Sequence, residues 1–225
     1  MKSAILACSM VLGLLVVPVR ASAQDSSSIS LSPRIALFAP DSYFYEDFVN
    51  FAGDGPVEWS HGALGRMGAF GVSGEWRVAH GIRIRGEILR SFDGWLRVAH
   101  SVVTPRVLFE PPRVVTTWLD APATLTLTSL QVVLPTELRW EWLRPYVSGG
   151  VGGKRYAFGD PLTPNEAGAT LPSPGFTWGG DLGAGVELTL LGITADLQVR
   201  DAITRYWGKT QHDLVYTGGL WFNVR

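Results

Sequence analysis

The sequence predicts an all-β chain of eight antiparallel strands in up-and-down order, closed into a transmembrane barrel with a polar, side-chain-filled interior. Three observations predict it. Segment after segment alternates apolar and polar residues with a period of two, the connections are short at one end and long at the other, and the polar positions carry both signs of charge in equal number.

Composition sets the frame. The chain is 46% hydrophobic and 17% charged over 225 residues, which excludes a disordered polypeptide. A net charge of −1 gives no support to a nucleic-acid partner. The first segment reads as a targeting signal. Lys2 starts it, "AILACSMVLGLLVV" (Ala4 to Val17) forms its apolar core, and Ala21-Ser22-Ala23 is a small-residue cleavage site. That core of 14 residues is short of the roughly 20 a membrane-spanning helix requires. Residues 1–23 are therefore expected to be a cleaved signal peptide and 24–225 the barrel domain. The only cysteine, Cys8, leaves with the signal, so the exported chain is not expected to be held by disulfides.

The strands follow in order. "ISLSPRIALF" (29–38) is the first. "FGVSGEWRV" sets Phe70, Val72, Trp76 and Val78 against Gly71, Ser73, Glu75 and Arg77. After the turn near His80-Gly81, "IRIRGEI" sets Ile82, Ile84 and Ile88 against Arg83, Arg85 and Glu87. "TLTLTSLQVVLP" (124–135) and "PYVSGGVGGKRYAF" (145–158) are the fourth and fifth strands. "GGDLGAGVELTLLGITADLQVR" (179–200) is a hairpin about Leu191-Gly192 with one apolar and one charged face. "LVYTGGLWFNV" closes the series. Long connections are expected at 40–65, 93–122 and 159–176, and a shorter one near 205–212. These all fall at one end of a meander, opposite both chain termini, as in outer-membrane barrels with their longer extracellular loops.

Which face turns inward is decided by the polar parity. A water-soluble barrel would show charged side chains at most outward positions, often lysine. Here glycines and small residues fill that parity, and the charges are Arg34, Arg77, Arg83, Arg85 and Arg200 against Glu75, Glu87, Asp181, Glu187 and Asp196. Buried charges persist only when paired and hydrogen-bonded, which arginine's planar fork suits. An eight-stranded barrel is just wide enough for side chains to fill. The polar parity is therefore assigned to the lumen and the apolar parity to lipid. A soluble secreted β-barrel, burying the apolar face instead, is the bland alternative.

The stretches "RPYVSGGVGGKRY" (144–156) and "GFTWGGDLGAGVELTLLG" (175–192) resemble the glycine-rich strands of small bacterial outer-membrane β-barrel proteins, the OmpA- and OmpX-like group. The resemblance implies an outer-membrane location, insertion by the outer-membrane assembly machinery, and contact with outer-membrane lipids and lipopolysaccharide. One departure stands out: such proteins usually end on an aromatic residue, whereas this chain ends "WFNVR".

Catalytic and metal-binding signals are absent from the sequence reading. His61, His80, His100 and His212 are isolated, with no metal-ligand spacing, and His212 beside Asp213 is the only faint catalytic candidate. The glycine run at 150–153 precedes no helix and is no phosphate loop. No cofactor or metal is expected, and the chain is expected to be non-enzymatic, with a structural or surface-interaction role. A lipid-modifying barrel enzyme and a narrow solute channel are the rivals. Recognition is expected in the loops. The first carries Tyr43, Phe44, Tyr45, Phe48 and Trp59, candidate surface contacts unless they continue an aromatic girdle. The second carries Arg97, Arg106 and Arg113, able to meet an anionic lipopolysaccharide layer.

Overall fold

The computed structural model describes residues 29–40, 45–50, 57–79, 81–104, 113–136, 140, 142–162, 171–191, 193–206 and 208–224. Residues 1–23, the expected signal peptide, therefore lie outside the described residues, as do Tyr43, Phe44, His80 and Arg106. Eleven strands run in chain order: β1 (Ile29–Ala39), β2 (Tyr45–Asn50), β3 (Val57–Leu64), β4 (Met67–Ala79), β5 (Ile82–Phe92), β6 (Gly94–Thr104), β7 (Arg113–Pro135), β8 (Leu143–Phe158), β9 (Gly175–Leu190), β10 (Ile193–Tyr206) and β11 (Lys209–Val224). Eight of them close a ring, β1-β4-β5-β7-β8-β9-β10-β11 and back to β1, every pairing antiparallel. Closure removes the open sheet edges that lipid would not tolerate.

The remaining strands stand above the ring. β3 runs into β4 and β5 into β6 with one continuous register, Leu64 opposite Leu96 and Gly68 opposite Phe92. The breaks fall at Gly65-Arg66 and at Asp93, whose φ of 57° is the left-handed region. β7 is 23 residues long; its lower part pairs with β5 and its upper part with β6. β2, β3, β6 and upper β7 thus make a four-stranded sheet projecting beyond the barrel.

Two expected connections are accordingly strands. The segment expected as a loop over 93–122 contains β6 and upper β7, and the one over 40–65 contains the β2–β3 hairpin. Strand β6 escaped sequence reading because Val98, Ala99, His100 and Ser101 are all buried, so no period-two contrast marks it. The fourth connection, expected near 205–212, is a tight turn between Tyr206 and Lys209, with Gly208 at φ 76°.

The outer wall is apolar all the way round. Each ring strand contributes an exposed aliphatic side chain: Ile35, Val72, Ile88, Leu130, Val151, Leu182, Leu197 and Leu220. Trp76, Trp140 and Trp142 lie toward the short-turn end, and Phe70, Phe92, Phe176 and Trp178 toward the other. An apolar band between aromatic girdles is the signature of a lipid-facing barrel wall. Where aromatic rings lie flat on the neighbouring strand, glycine makes the room: a Cβ on Gly153 would sit 2.3 Å from the Phe176 ring, and one on Gly185 2.4 Å from the Tyr146 ring.

Candidate functional site: the charged lumen and the sheet above it

The inward parity converges on one network in the half of the lumen nearest the short turns. Glu75 Oε2 accepts from Arg85 Nη2 at 2.9 Å and Nε at 3.1 Å, while its Oε1 accepts from Arg83 Nη1 at 3.1 Å. Arg83 also pairs with Glu187 across the lumen. Arg85 Nη1 donates to Tyr146 Oη at 3.0 Å and Asp196 Oδ2 at 3.2 Å, and Tyr146 Oη donates to Asp196 Oδ1 at 2.7 Å. Arg34 joins through Asp196 and Ser73, and lies 3.7 Å from Glu87. Glu87 pairs with Arg200, which donates to Asp181 at 3.1 Å and Ser129 at 2.8 Å. The Trp221 ring lies under the Arg34 and Arg85 guanidinium groups at 4.7 and 5.0 Å.

Nine of the ten sequence-assigned charges are therefore buried in this network: Arg34, Glu75, Arg83, Arg85, Glu87, Asp181, Glu187, Asp196 and Arg200. Arg77 is not. It stays in register opposite inward-facing Arg83, but it is the last residue before the register shift and its side chain is exposed at the short-turn mouth of the lumen. The lumen also holds a lysine. Lys154 is fully buried, paired with Asp213 and donating to the Ala202 carbonyl. Its parity was legible in "GGVGGKRY", where Gly150, Gly152, Lys154 and Tyr156 share a face. Around it the lumen turns apolar, with Phe38, Met67, Leu89, Leu125, Leu127 and Val215 filling the section toward the sheet. Side chains of both sections are buried in the interior.

His212 does not act with Asp213. The two point to opposite faces of β11: Asp213 inward to Lys154, and His212 outward, with Nδ1 at 2.8 Å from Asp201 Oδ2 on β10. A different constellation, invisible to spacing, sits on the projecting sheet. Ser60 and His100 are cross-strand partners, with Ser60 Oγ 2.9 Å from His100 Nδ1, both buried. The Glu58 carboxylate lies 3.8 Å from His100 Nε2, beyond hydrogen-bond reach, and that nitrogen has no hydrogen-bond partner among the described residues. The Ser60–His100 hydrogen bond ties β3 to β6 across the sheet.

The predicted surface residues divide. Tyr45 and Phe48 lie on β2 and half-buried Trp59 on β3, with Phe48 and Trp59 in register. Arg97 and Asp120 pair on the outer face of the sheet through two hydrogen bonds, 2.8 and 3.0 Å, and Arg97 stacks on Trp95 at 5.3 Å. The Arg97 hydrogen bond holds the Asp120 carboxyl below the usual carboxylate range. Arg113 is exposed at the start of β7.

A closed eight-stranded ring with an apolar wall and a charged, filled lumen defines a membrane-spanning β-barrel. Solved structures agree. The outer membrane protein OprG from Pseudomonas aeruginosa superposes with a TM-score of 0.58 at 14% identity, covering 89% of this chain and 97% of that one. Neisserial surface protein A (NspA) gives a TM-score of 0.51 at 10% identity, covering 88% and 98%. The fold is that of small bacterial outer-membrane β-barrels. No protein-family model matches the chain, and neither does any curated protein.

Proposed function

We propose that this chain is an integral outer-membrane protein with a structural or surface-interaction role, its barrel an anchor and the sheet β2-β3-β6-β7 its outward-facing part. The observation that carries this reading is the inversion of polarity. Exposed aliphatic side chains ring the outside while the charges are paired within. On this reading the nine lumen charges are structural, crosslinking strands distant in sequence. Tyr45, Phe48 and Trp59 belong to the sheet that meets the exterior, where an unidentified surface ligand would be bound. Outer-membrane lipids surround the barrel, and the outer-membrane assembly machinery inserts it after removal of residues 1–23. Cell fractionation followed by gel electrophoresis of unheated and heated samples tests the reading. It expects an outer-membrane band whose mobility changes on heating. A soluble periplasmic or secreted protein with heat-independent mobility would overturn it.

A further inference from the structure

Five outward side chains on adjacent strands form one cross-strand row: Phe70 on β4, Arg90 on β5, Thr126 on β7, Arg155 on β8 and Phe176 on β9. Arg90 and Arg155 are exposed, and neither makes a hydrogen bond or ion pair among the described residues. The lumen pairs every arginine; these two are left unpaired on the lipid-facing wall. Next below the row lie Ile88, Thr128 and Gly153, and below these Leu130 and Val151 are exposed. Phe70 and Phe176 end the row, Phe70 stacked on Phe92 above it with ring centroids 6.1 Å apart, and Phe176 against Trp178 just below it at 4.8 Å. These rings place the row at the membrane–water boundary on the side of the projecting sheet, which is the outward leaflet.

We propose that Arg90, Thr126 and Arg155 bind the phosphate of a phosphorylated glycolipid of the outer leaflet, of the lipopolysaccharide class, with its acyl chains lying on the wall below. This deepens the outer-membrane reading and rests on it. Strands lie about 4.8 Å apart, so the two arginines leave the wall about 10 Å from each other, with one strand and one hydroxyl between them. Arginine stems run along apolar surface while their heads reach the interface, and two planar forks converge on the oxygens of one phosphate. The Thr126 hydroxyl supplies a third donor at the centre. A glycolipid phosphate carries its charge at this depth with acyl chains beneath it, which matches a cationic row above a wall that becomes aliphatic toward the midplane.

The test uses the folded barrel purified in detergent, titrated with diphosphoryl lipid A, with retained lipid counted by native mass spectrometry. The heat-modifiable band of each variant reports the barrel independently of the lipid, so loss of the site is distinguished from loss of the fold. The double variant Arg90→Gln/Arg155→Gln should bind diphosphoryl lipid A at least roughly tenfold more weakly. Arg77→Gln, the same kind of substitution at the opposite end, should bind as the parent does. Fully dephosphorylated lipid A should bind the parent as weakly as the diphosphoryl form binds the double variant. Unchanged binding by the double variant overturns the site. Equal retention of dephosphorylated lipid A or of phosphatidylglycerol overturns the glycolipid phosphate as its ligand.

Discussion

Arg85 and Glu75 face each other across the β4–β5 pair, Nη2 to Oε2 at 2.9 Å, with the arginine side chain wholly removed from solvent. A guanidinium in that setting is stable only because carboxylates hold it. Arg85→Met would leave Glu75 only Arg83 and Asp196 only Arg34 and Tyr146 in the lumen, and losing one partner of such a pair costs about 3–5 kcal/mol, against about 0–1 for an exposed pair. The expected result is a large drop in the urea midpoint of the detergent-folded barrel. Glu75→Gln added to Arg85→Met should recover part of it. Neutral single variants would mean that these side chains face water.

The outer wall responds to charge in the opposite way. Leu182 and Leu197 are exposed aliphatic residues on β9 and β10. Arginine at either should cost about 2–4 kcal/mol near the midplane. Thr194 lies on the inward parity of β10, with its hydroxyl 3.1 Å from that of Thr189, so arginine there acts by crowding the lumen. Unfolding in lipid vesicles, rather than detergent, separates the two effects by their dependence on bilayer thickness.

Gly185 is a packing requirement. A Cβ there would meet the Tyr146 ring at 2.4 Å and the Leu197 carbonyl at 2.6 Å. Tyr146 holds Arg85 and Asp196, so Gly185→Val displaces a ring that organises the charge network. Overpacking of this kind costs about 1–3 kcal/mol. Gly86→Ala meets nothing within 4 Å and should be nearly silent by the same midpoint measurement.

Ser60 and His100 link β3 to β6 through one buried hydrogen bond. Ser60→Ala should leave the barrel's own unfolding unchanged while loosening the projecting sheet, since an unpaired buried nitrogen costs about 1–3 kcal/mol. Hydrogen exchange of β3 and β6 amides reads that loosening. A fluorophosphonate probe should leave the parent protein unlabelled; labelling that disappears in Ser60→Ala would revise the assignment.

Much of this was legible along the chain because lipid and lumen differ so sharply. In Ile193 to Arg200 each outward residue is apolar and each inward one polar, so parity alone separates Leu197 from Asp196 and Gln198. Parity fails where both faces are covered, as around Ala99 and His100, and β6 was read as a loop for that reason. Parity also says nothing of depth: Arg77 keeps the register of Arg83 yet is exposed at the short-turn mouth. Partnership is harder still. Ser60 meets His100, and Arg90 stands in line with Arg155, only because strands forty and sixty-five residues apart close into one sheet.

The inversion of polarity is tested most directly by nitroxide labels placed singly at 193 to 199 of the barrel reconstituted in lipid. Labels at Ile193, Ala195, Leu197 and Val199 should be accessible to a lipid-soluble relaxation agent, and those at Thr194, Asp196 and Gln198 protected from it. Accessibility to a water-soluble agent alternating in its place, or no period of two, would contradict a lipid-facing wall.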